Sequence, residues 1–214
     1  DEVAFNFLDD LAPGCVASFP IKHSERPRAI KAESFGDATF SPQALIRPHA
    51  LLHILNQGYT LLWTDSDMVW LDDVSSFLPD SSDPESAELA LAWDGRVGKA
   101  CTGLLFMKPT DAVKEMVELW AREIVETNAR EGQAAFQRPF KHAIDGIRVK
   151  IFSGLKFPSG LIENDDTFQS NYARVHDGDM AIFHSSYAKG PERKIQRFKK
   201  YGLWDVAGVP FPTC

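Results

Sequence analysis

The chain has 214 residues and carries 23 Lys and Arg against 30 Asp and Glu, a formal net charge of −7. With 44% hydrophobic, 25% charged and 11% aromatic residues it has the composition of one packed globular domain spanning 1–214, not of a disordered, collagenous or coiled-coil chain. The acidic balance disfavours binding of nucleic acid through a basic surface, so no nucleic-acid partner is expected, and no apolar run approaches the roughly 18 residues of a membrane span.

Short apolar pieces at 3–8 and 15–21 suggest a strand or short helix before a polar run at 22–31. The chain starts with Asp and shows no signal-peptide pattern, which is compatible with a processed product, a fragment or a lost N-terminal anchor. Leu51, Leu52 and Leu55 recur at helical spacing, Pro48 fits a first turn and Gly58 a stop, so 47–57 reads as a helix. The nearly continuous apolar run 59–64 then reads as a central strand buried on both faces, ending abruptly in Asp65-Ser66-Asp67. A polar loop at 80–88 leads to a strand at 89–93 that finishes on Asp94, and 103–107 reads as a third strand. Thr110 or Asp111 caps a helix with an apolar stripe of Val113, Met116, Val117, Trp120, Ile124 and Val125. A helix at 133–143, strands at 149–152 and 180–183, and a basic helix at 192–201 complete the order. Such alternation predicts an α/β/α sandwich with a mostly parallel central sheet.

Ligands of open α/β sheets bind beyond the carboxyl ends of the strands, where this chain places Asp65, Asp67, Asp94 and His184. Two carboxylates one residue apart on a strand tip suit a hard divalent cation, and His184 would add a nitrogen ligand. That donor set favours Mn²⁺ or Mg²⁺ over zinc. An ordinary turn has the same composition, but the apolar Met68-Val69-Trp70-Leu71 follows directly where a solvated turn would be polar. Asp94 before Gly95 reads equally as a hairpin signal and as a sugar-hydroxyl contact. Lys189, Arg193, Lys194, Arg197, Lys199 and Lys200 form a cationic island opposed only by Glu192. One of its lysines could reach a phosphate while Gly190 allows close backbone approach; Arg197, Lys199 and Lys200 read as a solvated helix face. Cys15, Cys101 and Cys214 lack metal-site spacing, and one disulfide or three unpaired thiols are both compatible with them.

The string from Gly58 to Leu71, with Asp65-Ser66-Asp67 at its centre, resembles the DxD segment of the nucleotide-diphospho-sugar transferase family that includes plant and algal arabinosyl- and xylosyltransferases of extensin and rhamnogalacturonan synthesis. Cys101-Thr102-Gly103 through Lys108-Pro109-Thr110 is similar to that family's N-T-G-F-x-x-x-[RK]-P-T, and Phe157-Pro158-Ser159-Gly160 to its F-P-x-G. Phe183-His184 through Gly190 to Lys194, then Gly202-Leu203-Trp204, is similar to H-x-N-x-x-x-G-x-x-x-K and G-L-W. The resemblance covers about 44–205.

It implies a GT-A-like fold and a retaining, Mn²⁺-dependent transfer of a pentose or hexose from a UDP-sugar to a hydroxyl of a glycan or glycoprotein, in the Golgi lumen. Asp65 would bind the donor ribose and the metal, Asp67 and His184 the metal, and Lys194 the diphosphate. Glu131-Gly132-Gln133 resembles the family's D-Q element with Gly132 where Asp is usual. The resemblance thus puts Gln133 beside the anomeric carbon, with Glu131 or Asp94 as a substitute carboxylate. Cys101 likewise stands where Asn is usual. Two other readings remain open: a nucleotide- or carbohydrate-binding module that has lost turnover, and a metal-dependent phosphohydrolase or nucleotidyltransferase.

Overall fold

A computed structural model describes residues 40–94, 98–129, 131–158 and 165–204, without the side chains of 40–43 and 165–169. The expected N-terminal elements, Cys15, Cys214, Ser159 and Gly160 lie outside the described residues. In chain order the elements are α1 (Phe40–Asn56), β1 (Leu61–Thr64), β2 (Met68–Trp70), β3 (Leu89–Asp94), β4 (Lys99–Met107), α2 (Asp111–Thr127), α3 (Gly132–Ala143), β5 (Val149–Ile151), α4 (Asp165–His176), β6 (Ile182–His184) and α5 (Pro191–Lys200).

The α/β class stands, but the strand directions differ from expectation. The main sheet has the order β1-β4-β3-β5; β4 runs antiparallel to both β1 and β3, and β3 runs parallel to β5. The mostly parallel sheet is therefore corrected to a mixed one among the described residues. The cause is local: Asp94, the last residue of β3, pairs with Lys99, the first of β4, so β4 runs back along β3. β1 is also not a central strand buried on both faces. It is half-buried and pairs with β4 among the described residues.

The two faces of the sheet are covered differently. Leu89, Leu91, Leu105 and Met107 meet Leu51 and Leu55 of α1, the α2 stripe, and Phe136 and Phe140 of α3. Trp120 anchors this side: its ring is fully buried edge-on to Phe136, with centroids 4.9 Å apart, and its indole N–H donates to the Gly132 carbonyl at 2.8 Å. The opposite face, with Ala90, Ala92, Leu104 and Phe106, packs on Phe152, Phe157 and Ile182. Beyond it, β2 and β6 form a separate two-stranded sheet, and Phe183 of β6 clusters with Val175 of α4 and with Phe198 and Tyr201 at α5.

Several boundaries move. α1 starts before the expected helix and carries Pro48 in its interior, not in its first turn. β4 begins at Lys99 and not at Gly103. Thr110 occupies the N-cap position of α2 but its buried hydroxyl makes no capping bond, and Val125 points to solvent at 64% exposure, off the buried stripe. Replacing Trp120 by Ala removes a buried double ring and its hydrogen bond to the Gly132 carbonyl. We expect a loss of about 3–5 kcal/mol, read as a lower urea midpoint, whereas Val125→Ser changes the midpoint little.

Candidate active site

The site forms where β1 and β4 part. Leu91 of β3 faces Leu105, yet the next residue, Ala92, faces Cys101, so Thr102, Gly103 and Leu104 form a bulge with no partner on β3. The β1 ladder ends at the same place, with Thr64 opposite Leu104; one further bond, from Asp65 N–H to the Gly103 carbonyl at 2.8 Å, holds the chain before it turns away. The chain then leaves the main sheet and joins β6 as β2, with Met68 directly opposite His184. The Ser185 N–H donates to the Asp67 carbonyl at 2.9 Å and extends this second ladder to the acidic turn. Asp65 thus hangs from one sheet, while Asp67 and His184 sit at adjoining ends of the other.

One ligand atom from each of Asp65, Asp67 and His184 lies within 4.8 Å of the other two. Asp67 and His184 are buried, and Asp65 is half-buried. Gly103 makes the convergence sterically feasible. A Cβ there would sit 2.9 Å from Asp65 Oδ2 and 3.0 Å from both His184 Cε1 and Met68 Cε, so any other residue would push these side chains apart. Two hard carboxylate oxygens and one imidazole nitrogen brought together over Gly103 form a donor set that fits a divalent cation of the Mn²⁺ or Mg²⁺ kind.

Charge fixes each ligand. Asp67 Oδ2 accepts from Lys194 Nζ at 2.7 Å, and Asp67 Oδ1 lies 3.4 Å from His184 Nε2. Burial pushes the Asp67 carboxyl upward, but the bonds and charges of His184 and Lys194 outweigh it and hold the group well below the usual carboxylate range. Burial likewise pushes His184 down, but the bonds and charges of Asp67 and Cys101 raise it to about 9. Asp65 is held by a residue that the sequence did not single out. Arg47 of α1 reaches Asp65 Oδ1 at 2.5 Å, donates to the Thr102 carbonyl at 3.1 Å and to Thr102 Oγ1 at 2.8 Å, and lies 5.2 Å over the Trp63 ring. The Trp63 indole N–H donates to the same Asp65 oxygen at 3.3 Å.

The other expected residues are placed as follows. Gln133, in the first turn of α3, accepts from the Thr102 N–H at 3.3 Å. Its neighbour one turn on, Gln137, bonds both the N–H and the carbonyl of Ala100 and was also missed from sequence. The two amides satisfy the edge of β4 that β1 has abandoned. Glu131 sits at the N-cap position of α3, and no described side-chain bond joins it to the cluster. Asp94 is buried at the end of β3, outside the three-residue group, and accepts from the Tyr187 hydroxyl. Gly190 caps α5 at φ 80°, a left-handed conformation that turns the chain into the helix carrying Lys194. Sequence alone offered one signal for the bulge, a glycine inside a strand pattern, and none for the side that Arg47 faces.

Two outcomes are expected. Arg47→Met keeps the packing length but removes the ion pair on Asp65, leaving only the Trp63 indole among the described residues, and the bond to the Thr102 carbonyl; it lowers unfolding stability by about 1–3 kcal/mol, with Thr102→Val costing less because only the hydroxyl bond is lost. The His184 pKa is raised above its unfolded value of 6.5, so its pairing with Asp67 stabilises fully below pH 6.5 and is lost as pH rises through about 9. The depressed Asp67 carboxyl contributes above its unfolded value of 3.8 and is lost as pH falls below it. Unfolding curves of the metal-free protein therefore show a decline from pH 6.5 to 9 of roughly 3 kcal/mol, which His184→Gln abolishes. An unchanged alkaline decline in that variant contradicts the pairing.

The model of nucleotide-diphospho-sugar transferases matches residues 1–198. The chain is 30% identical over 197 residues to UDP-D-xylose:L-fucose alpha-1,3-D-xylosyltransferase 1 of Arabidopsis thaliana, covering 82% of this chain and 53% of that protein. A second Arabidopsis UDP-D-xylose:L-fucose alpha-1,3-D-xylosyltransferase is 29% identical over 195 residues, 82% of this chain and 52% of its own. The UDP-galactose:fucoside alpha-3-galactosyltransferase of Dictyostelium discoideum is 22% identical over 227 residues, 92% of this chain and 34% of its own. The chain thus spans about half the length of the xylosyltransferases it matches. No solved structure matches it. The family model covers nearly the whole chain, including every residue of the Asp65, Asp67, His184 and Lys194 cluster, and the chain belongs to the nucleotide-diphospho-sugar transferase family.

Proposed function

We propose that this chain is the donor-binding and catalytic domain of a metal-dependent, retaining glycosyltransferase. It moves a pentose or hexose from a UDP-sugar to a hydroxyl of a glycan or glycoprotein, in the Golgi lumen. The observation that carries the reading is the convergence of Asp65, Asp67 and His184 over Gly103, with Lys194 at 2.7 Å from Asp67. The named xylosyl- and galactosyltransferase relatives support UDP-sugars as the donor class.

In this reading Asp65, Asp67 and His184 hold the cation, which supplies positive charge for a departing diphosphate. Lys194 exchanges its bond with Asp67 for one with a diphosphate oxygen and holds that charge as the sugar–phosphate bond breaks. Arg47 and Trp63 keep Asp65 in one orientation throughout, so no reorganisation is needed when charge develops. Gln133, whose carbonyl oxygen is committed to Thr102, offers its amide N–H to the sugar. An amide is a poor nucleophile, which favours attack by the acceptor hydroxyl on the departing side of the sugar, with the hydroxyl proton passing to the released phosphate oxygen. The new carbon–oxygen bond forms as the old one breaks, and configuration is retained. Asp94, bound to Tyr187, contacts a sugar hydroxyl.

Thermal unfolding with UDP, with Mn²⁺ and with both tests the reading. A ligand at 100 times its dissociation constant adds about 2.7 kcal/mol. UDP should stabilise only with Mn²⁺ present, and the shift should vanish in Asp67→Asn, which keeps the side-chain volume. Absence of any Mn²⁺-dependent shift overturns the donor site. Metal-dependent UDP binding without transfer or hydrolysis of UDP-xylose or UDP-galactose identifies the binding module that has lost turnover.

A further inference from the structure

The two carboxylates of the cluster are each already matched by a cation of this chain. Arg47 lies 2.5 Å from Asp65 Oδ1, and Lys194 Nζ lies 2.7 Å from Asp67 Oδ2. His184 carries no negative charge in either protonation state. Two negative groups thus face two positive ones within the chain itself. A bare divalent cation would enter where both carboxylates are neutralised, and would be repelled by the guanidinium and the ammonium that neutralise them. A cation bound to a diphosphate brings negative charge with it and leaves the balance of the site close to where it stood.

The two pairs are not equivalent. Arg47 uses Asp65 Oδ1, while Oδ2 is the oxygen that a Cβ at Gly103 would meet, so Asp65 keeps one oxygen turned to the cluster with its partner in place. Arg47 is also held by the Thr102 carbonyl, by Thr102 Oγ1 and by the Trp63 ring. Asp67 has no such division of labour: Oδ2 takes Lys194, and Oδ1 faces His184 Nε2 at 3.4 Å. A cation can use Asp67 only by breaking into one of these contacts. Lys194 is the partner built to leave. Its side chain is 36% exposed against 11% for Asp67, and an ammonium on a flexible four-carbon stem reorients readily. Turning into water would abandon a largely buried carboxylate, so Lys194 moves when a second anion is there to receive it.

We propose that Lys194 is a built-in counter-ion that stands in for the divalent cation in the metal-free chain and yields Asp67 only when cation and diphosphate are both present. Lys194 thereby discriminates against the bare cation and couples the two ligands, while Arg47 stays on Asp65 throughout. The inference rests on the donor-site reading above and adds a second, opposite role: the residue that strengthens nucleotide binding weakens the metal on its own. A contact made in one state and exchanged in the other is what a coupling between two ligands requires.

Two binding measurements on the whole chain test this without turnover. Mn²⁺ alone is followed by the electron paramagnetic resonance signal of the free ion, and labelled UDP by equilibrium dialysis with and without saturating Mn²⁺. The unsubstituted chain should hold Mn²⁺ alone weakly and bind UDP about tenfold or more tighter when Mn²⁺ is present. Lys194→Met, which keeps the apolar stem, and Lys194→Gln, which keeps a polar end, should each bind Mn²⁺ alone about tenfold tighter than the unsubstituted chain, and UDP with Mn²⁺ more weakly. A gain of metal affinity is not what a damaged fold produces. Lys194→Arg should leave the binding of Mn²⁺ alone close to that of the unsubstituted chain. So should Lys199→Met, which removes the same charge from the exposed last turn of α5. If neither Lys194→Met nor Lys194→Gln binds Mn²⁺ alone more tightly, or if Lys199→Met gains as much, the proposal is overturned, and Mn²⁺-dependent UDP binding in the same experiment leaves the donor site standing. Equal UDP binding with and without Mn²⁺ in the unsubstituted chain overturns the coupling. No UDP binding at any Mn²⁺ concentration removes the donor-site reading and this inference with it.

Discussion

The bulge at Thr102, Gly103 and Leu104 is the constraint on which the site depends. An unbroken β4 would keep β1 and β3 paired along its full length, and Asp65 would continue a ladder instead of leaving it. Because β4 carries three residues that β3 does not match, the strand bends where β1 ends and the chain is free to cross to β6. Bulges re-aim side chains and end pairing at functional sites, and here one does both. Gly103 lies at the centre of the bulge and also at the centre of the ligand cluster, so one residue meets the backbone and the steric demand together.

Parting two strands exposes backbone groups, and their replacement partners link the helical layer to the site. Gln137 closes the edge at Ala100, Gln133 the N–H of Thr102 and Arg47 its carbonyl. These side chains come from α3 and α1, which also supply core residues packed against Leu89, Leu91 and Leu105. Arg47 then passes from the Thr102 carbonyl to Asp65. A hydrophobic contact under α1 and the orientation of a candidate metal ligand are thus parts of one packed unit. Gly132, where a family member usually carries Asp, lies in the same contact: its carbonyl accepts from Trp120, and a Cβ there would meet Trp120 and Ala44 at 3.7–3.8 Å. The position tolerates a β-carbon, so its glycine is not imposed by packing at that atom.

Patterns with a short range were legible in the sequence. The α2 stripe, the strand read at 89–93 and the basic helix all depend on neighbours within a turn or two, and periodicity reports such neighbours. The acidic tip and His184 were legible because strand ends carry ligands whatever the strand order. What escaped depends on pairing at a distance. The antiparallel course of β4 is set by the pairing of Asp94 with Lys99, which an alternating α/β rhythm conceals. Arg47 escaped because a long helix has several candidate faces; with the start of α1 misplaced and Pro48 taken for a first-turn residue, its direction could not be read. Gln137 escaped because an amide on a helix is ordinarily solvent-facing, and its use as a substitute strand partner exists only once β1 has left.

The second sheet explains why residues far from the ligands govern them. β2 and β6 each have three residues, and a two-stranded ladder of that length has little stability of its own. Its register, which sets Met68 opposite His184, must be fixed by what packs behind it. Phe183 sits beside His184 in the strand and points to the other face, where its ring lies 4.7 Å from Tyr201 and 6.1 Å from Phe198. Ile182, pointing the same way as His184, is buried in the cluster with Ala90 and Phe157. Slipping β6 by one residue would exchange these two buried sets and turn the imidazole away from Asp67. Hydrophobic burial on both faces of a three-residue strand therefore locks the nitrogen ligand in place. The packing of Phe198 and Tyr201 behind Phe183 places the helix that delivers Lys194 to the same carboxylate.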